Sequence, residues 1–81
     1  MKIALNFKYH KEEIIKELEK RNFEMSSSSM GCIWVYGIRV INYLDLTDRD
    51  GFKITLEREK DFEQYSIYLE DLEYFEIHSE E

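Results

Sequence analysis

The chain opens with apolar residues at alternate positions and then changes to helical spacing. In KIALNF, the alternation from Ile3 to Phe7 predicts a first strand. In HKEEIIKELEKRNF, a narrow apolar stripe of Ile14, Ile15 and Leu18 has helical spacing. Glutamates lead this segment and basic residues close it, as the helix dipole favours. The pattern predicts one amphipathic helix that packs its apolar stripe against a sheet.

After the helix, a low-complexity stretch is followed by further alternation. EMSSSSMG predicts a flexible connection because of its serine run and closing glycine. CIWVYGIRVINYL is the most apolar segment and predicts the central strand region, in which Gly37 indicates a bulge or a sharp bend. DLTDRDG predicts a turn on its Asp-Gly pair. FKITLER, YSIYL and EYFEI predict further strands, while EDLEYF also fits a short helical turn.

The order of these elements predicts the fold class. It is β-α-β-β-β-β, which is typical of an α+β protein with an antiparallel sheet of about four to five strands and one helix in the N-terminal half. The 81 residues are enough for a single small domain, spanning residues 1–81, and leave no room for a second core.

Composition indicates a compact protein in a reducing compartment. Aromatic residues are 15% and charged residues 36% of the chain, too much apolar content for a disordered acidic tail. Cys32 is the only cysteine, so an intramolecular disulfide is excluded. The first residues become charged too early for a signal peptide, and no run approaches the ~18 apolar residues of a membrane span. We therefore expect a cytoplasmic protein that does not bind membranes.

The net charge of −7 is unevenly distributed. Residues 61–81 contain eight of the 18 acidic residues and no lysine or arginine, whereas residues 1–60 contain the other ten acids and all 11 basic residues. Trp34, Tyr36 and Tyr43 could stack on bases, but the surrounding negative charge repels phosphates. The sequence therefore predicts no direct nucleic-acid binding and favours a basic protein partner.

Three side chains are candidates for a zinc site. His10, Cys32 and His78 fall at the ends of predicted elements, where they could converge with one carboxylate in a tetrahedral set. They lack the short ligand spacing of known zinc motifs. The alternative without a metal is a buried free cysteine and two histidines on the surface. No cofactor is expected, and zinc stays an open alternative.

An enzyme is not predicted. No nucleophile motif surrounds Cys32, and the three glycines of the chain do not form a phosphate-binding loop. With 18 acidic residues in 81, pairs of carboxylates arise by chance and do not indicate a catalytic site. The chain is therefore interpreted as a binding protein.

The segment LEDLEYFEIHSEE alternates acids with aromatic and apolar residues, which also fits a last strand with an apolar inner face. Unbalanced acids are unusual on an ordinary surface, so we interpret this segment as a partner-binding surface. Its candidate binding residues are Tyr68, Glu70, Asp71, Glu73, Tyr74, Glu76, Glu80 and Glu81.

In length, acidity and Lys/Ile/Asn/Glu/Tyr-rich composition, the chain resembles the small acidic inhibitors of phages and prophages of low-GC bacteria, among them anti-CRISPR proteins. The resemblance implies a non-enzymatic inhibitor in the host bacterial cytoplasm. Its partner would be a basic protein, such as a Cas9-type nuclease, whose guide or target DNA loading it blocks.

Two alternatives remain open. FKITLE and YSIYLEDLEYFEI after a helix resemble the strand order of Sm-like small barrels, which implies a regulatory oligomer. An immunity protein for a basic toxin would also bind its target through an acidic surface. An inhibitor is expected to be a monomer or a dimer, whereas a ring-sized mass would favour the barrel.

Overall fold

The computed structural model describes residues 1–28, 31–41 and 53–79. These residues form one α-helix and two antiparallel sheets, so the predicted α+β class, with its helix in the N-terminal half, is confirmed. In chain order the elements are β1 (Lys2–Phe7), α1 (Lys11–Lys20), β2 (Glu24–Ser27), β3 (Ile33–Tyr36), β4 (Ile38–Ile41), β5 (Lys53–Arg58), β6 (Gln64–Tyr68), a 3₁₀ turn (Leu69–Asp71) and β7 (Leu72–His78).

The first sheet has four strands in the order β2-β3-β1-β7, and the second has three in the order β4-β5-β6. β1 pairs with β3 on one side and with β7 on the other, so residues distant in sequence meet in one sheet. Among the described strands, β7 pairs with β1 alone and forms an edge of the four-stranded sheet.

One core joins both sheets to the helix. β1 contributes Ile3 and Leu5, which are fully buried, because alternate residues of a strand face the same side. α1 contributes Ile14 and Leu18, as its apolar stripe predicts. The second sheet contributes the buried side chains of Ile38, Val40, Ile54, Leu56 and Ile67. No helix within the described ranges is long and apolar enough to cross a membrane.

The segment from residue 33 to residue 41 forms two strands in different sheets, where the sequence predicts one strand region. Gly37 separates them with φ +65°, a left-handed conformation that glycine adopts without steric penalty. Its carbonyl accepts a 2.9 Å hydrogen bond from the amide of Glu59, and the next amide, of Ile38, donates to the carbonyl of Met1 at 3.2 Å. The predicted sharp bend at Gly37 is therefore the corner at which the chain passes from one sheet to the other.

Replacing Gly37 by alanine is expected to lower the free energy of unfolding by about 1 kcal/mol, because an L-residue with a Cβ strains the left-handed conformation. A Cβ built there meets no atom within 4 Å, so the loss is conformational rather than steric. Gly37→Asn should lose less, since asparagine tolerates this region better. Urea denaturation of the three proteins measures the effect. Equal stability of wild type and Gly37→Ala would mean that the corner relaxes to another conformation.

The prediction of a flexible connection in EMSSSSMG is wrong for its first four residues. Glu24–Ser27 form β2, which pairs with β3 in a register that places Glu24 opposite Tyr36 and Ser26 opposite Trp34. The hydroxyls of Ser26 and Tyr36 lie 2.7 Å apart across this pair. The free edge of β3 thus orders a polar stretch whose own composition favours a loop.

Some predicted features lie outside the described residues. These are part of the serine stretch, at residues 29–30, the turn DLTDRDG with the flanking residues 42–44 and 52, and the binding candidates Glu80 and Glu81. The sequence left a short helical turn and a strand as alternatives around EDLEYF, and the structure contains both. The 3₁₀ turn Leu69–Asp71 leads directly into the strand β7.

Candidate functional site

Three exposed glutamates lie in the turn after β6 and on β7, the edge strand of the four-stranded sheet. Glu70 lies in the 3₁₀ turn, and Glu73 and Glu76 lie on the edge strand β7. We call these three residues the acidic edge. Oε1 of Glu76 lies 2.9 Å from Nε2 of His78, while the side chains of Glu70 and Glu73 make no hydrogen bond or ion pair with another described residue. All three carboxylates are exposed to a partner.

A bulge in the β1–β7 pair sets the directions of these side chains. Asn6 lies opposite Tyr74 and Phe7 opposite Leu72, which leaves Glu73 as the extra residue. Because one residue is inserted, Leu72 can face the core although it is three positions from Phe75, which packs on the same core. Glu73 projects from the irregular point of an edge strand.

Two of the acids near the C-terminus are neutralised by basic residues from elsewhere in the chain. Asp61 forms a 2.7 Å ion pair with Arg58, whose hydrogen bond lowers the pKa of that carboxyl to about 2. Glu63 pairs with Arg21 at 3.1 Å. These two carboxylates are therefore paired within the chain, whereas Glu70 and Glu73 of the acidic edge have no basic partner among the described residues.

Asp71, one of the predicted binding residues, has a structural role. Its side chain is 15% exposed and lies 3.0 Å from Nδ1 of His10, and its backbone carbonyl accepts hydrogen bonds from the amides of Lys8 and Tyr9. His10 stands at the N-cap of α1 with φ 59° and makes no capping hydrogen bond to the helix with its side chain. Asp71 therefore ties the start of α1 to the turn before β7.

The His10–Asp71 contact predicts a pH-dependent contribution to stability. The hydrogen bond to Asp71, and then its charge, raise the pKa of His10 above 6.5. The protonated form is favoured by folding, so this stabilisation is complete below pH 6.5 and is lost as the pH rises through the folded-state pKa.

We expect an NMR titration to find the pKa of His10 above its ordinary value in the wild type, and closer to that value in Asp71→Asn. His10→Asn tolerates the same backbone conformation but cannot titrate, so the stability difference between it and the wild type should shrink as the pH rises from 6 to 8. An unchanged difference across that window would contradict the contact.

The two predicted aromatic anchors lie on different sheets. Tyr74 is 44% exposed on β7, and Tyr68 is 46% exposed on β6 in the three-stranded sheet. Lys53, which pairs with Tyr68 in register, places its ammonium 4.9 Å from the centre of that ring. Tyr74 thus belongs to the same strand as Glu73 and Glu76, whereas Tyr68 lies beside a lysine.

The structure adds an aromatic surface that the sequence analysis did not assign to protein binding. Trp34 and Tyr36 on β3 face away from the core, and both are partly exposed. Their neighbours Ile33 and Val35 are buried in the core that joins α1 to both sheets. The alternation in IWVY indicates this arrangement, since alternate residues of a strand place the two aromatics on the same side, away from the core.

The three zinc candidates occupy separate places. His10 contacts Asp71, the thiol of Cys32 lies 3.0 Å from the hydroxyl of Tyr74, and His78 pairs with Glu76. Along β7, the position of Tyr74 is four residues from His78, which is about 13 Å in a strand. Cys32 is buried, and its hydrogen bond with Tyr74 raises the pKa of that phenol. Within residues 1–28, 31–41 and 53–79, no group of three or more His, Cys, Asp or Glu is arranged to hold a metal ion.

Comparisons with protein-family models, with curated proteins and with solved structures found no match.

Proposed function

We propose that this chain is a non-enzymatic inhibitor that binds a basic nucleic-acid-handling protein through its acidic edge. A Cas9-type nuclease is the first target to test. The observation that carries the proposal is the exposure of Glu73 and Glu76 on an edge strand, next to exposed Tyr74, in a part of the chain that has no lysine or arginine.

The physical basis is electrostatic steering followed by an aromatic contact. A cluster of carboxylates is attracted to the positive channel that such a nuclease offers to its guide and target DNA. Rim charges of this kind mainly accelerate association, while a tyrosine that becomes buried slows dissociation. Occupying the channel excludes nucleic acid without any chemical step.

Affinity capture with a competitor tests the proposal. The immobilised protein is exposed to lysate of a low-GC bacterium that carries a Cas9-type system, and bound proteins are challenged with the guide RNA. We expect a basic nuclease to be captured at low salt and released by the RNA. Capture of a protein that neither binds nucleic acid nor responds to the competitor would contradict the proposal.

The native mass provides an independent check on the class of protein. A monomer or a dimer agrees with a stoichiometric inhibitor. A ring-sized assembly would favour the Sm-like alternative, and selective capture of a basic toxin would favour an immunity protein.

A further inference from the structure

A row of side chains crosses the outer face of the four-stranded sheet, the face that points away from the core, and ends at the acidic edge. Trp34 lies opposite Ala4 on one side and Ser26 on the other, and Ala4 lies opposite Glu76. One continuous row therefore leads across the sheet from a tryptophan on β3 to a carboxylate of the acidic edge on β7. We call Trp34, Tyr36 and Tyr74 the aromatic face.

This face already holds a cation from the chain itself. The ammonium of Lys2 lies 4.9 Å from the ring centre of Trp34 and 5.9 Å from that of Tyr36. The ring of His78 also contacts Trp34 edge to face, with ring centres 5.0 Å apart. A cation over two aromatic rings shows which ligand chemistry this surface accommodates.

Carboxylates flank the rings at both margins of the sheet. Glu24 lies opposite Tyr36 on β2 and is exposed, and the side chain of Glu76 on β7 is 63% exposed. A side chain that stacks on Trp34 or Tyr36 can therefore reach a carboxylate one or two strands away, about 5–10 Å across the sheet. Aromatic rings bordered by acids complement a basic segment better than an apolar or an acidic one.

We propose that the aromatic face binds an arginine-bearing segment of the partner protein. Guanidinium groups stack on Trp34 and Tyr36 in place of the Lys2 ammonium, and pair with Glu24 and Glu76. Arginine fits better than lysine because its planar group stacks on a ring and bridges to a carboxylate at the same time. The inference rests on the proposed function for the identity of the partner, but its chemistry can be tested without one.

Synthetic peptides provide the test, and the single tryptophan of the chain provides the signal. Fluorescein-labelled octapeptides of alternating glycine with arginine, lysine or glutamate are titrated with the protein while anisotropy and the emission of Trp34 are recorded. We expect the arginine peptide to change the emission and to bind about threefold tighter than the lysine peptide. The glutamate peptide and a labelled single-stranded DNA should not bind. Equal affinity for arginine and lysine peptides, or tight binding of the DNA, would overturn the proposal.

Two variants locate the site. Trp34→Leu should weaken the arginine peptide about fivefold, with folding checked by circular dichroism. Lys2→Gln should tighten it about two- to fivefold because it removes the competing cation, and this gain cannot result from misfolding. Lys16→Gln on α1 makes the same change in net charge and serves as the control. If both lysine variants behave alike, net charge explains the binding and the aromatic face is not the site.

The outcomes separate the two proposals. Arginine-peptide binding without capture of a nucleic-acid-handling protein would overturn the proposed function and keep this site. If the nuclease is captured but Trp34→Leu and Lys2→Gln bind the arginine peptide with the wild-type affinity, the proposed function stands and the aromatic face is not the arginine site.

Discussion

Replacing Phe75 by alanine is expected to lower the free energy of unfolding by about 3 kcal/mol, a large share of the stability of so small a domain. Phe75 lies opposite Leu5 in the β1–β7 pair and packs against the core from the inner face of β7. The loss should fall near the lower end of the range for buried phenylalanines, because the ring is partly exposed. Urea denaturation followed by circular dichroism measures it.

The neighbouring residue provides a matched control on the same strand. Tyr74→Ala removes a ring of similar size from the outer face, where the side chain is 44% exposed, and should change stability far less than Phe75→Ala. It should instead weaken partner binding. Similar losses of stability in both variants would contradict the assignment of the two faces of β7.

Reversing both charges in Glu73→Lys/Glu76→Lys is expected to weaken partner binding by about 1–2 kcal/mol, or about 5- to 30-fold. The change should fall mainly on the association rate and should diminish as salt is added, because screening weakens long-range attraction. The fold should survive, since both side chains are exposed. Association kinetics at low and high salt measure the effect.

A control with the same net charge separates position from total charge. Glu19→Lys/Glu59→Lys reverses two other exposed glutamates, one on α1 and one after β5. We expect this variant to retain most of the association rate. If both double variants bind equally well, the charges of the acidic edge serve to prevent β7 from pairing with other strands, and the partner-binding surface lies elsewhere.

The elements with strong periodicity could be predicted from the sequence, and those created by tertiary pairing could not. The helix follows from Ile14 and Leu18, and the strand from Lys53 to Arg58 follows from its alternation. β2 could not be predicted, because a serine-rich stretch becomes a strand only when β3 offers it an edge. Gly37 was identifiable as a bend, but its role as a corner between two sheets depends on contacts with Met1 and Glu59.

The binding surface shows the same limit. The concentration of acids near the C-terminus is visible in the sequence, but their partners are not. Asp71 lies 61 positions from His10, and Glu63 lies 42 positions from Arg21, so these two contacts require the fold. The aromatic face likewise depends on the register that aligns Trp34 with Glu76 through Ala4.

The most direct test of the central claim is the binding of target DNA by a purified, guide-loaded Cas9-type nuclease in the presence of increasing amounts of this protein. The measurement is repeated with the protein added before the guide, because inhibition can act at either loading step. We predict that DNA binding is lost in at least one order of addition, with the loss complete near one protein per nuclease and shifted to higher concentration for Glu73→Lys/Glu76→Lys. Undiminished DNA binding in both orders at saturating excess, for nucleases from several low-GC bacteria, would contradict the account.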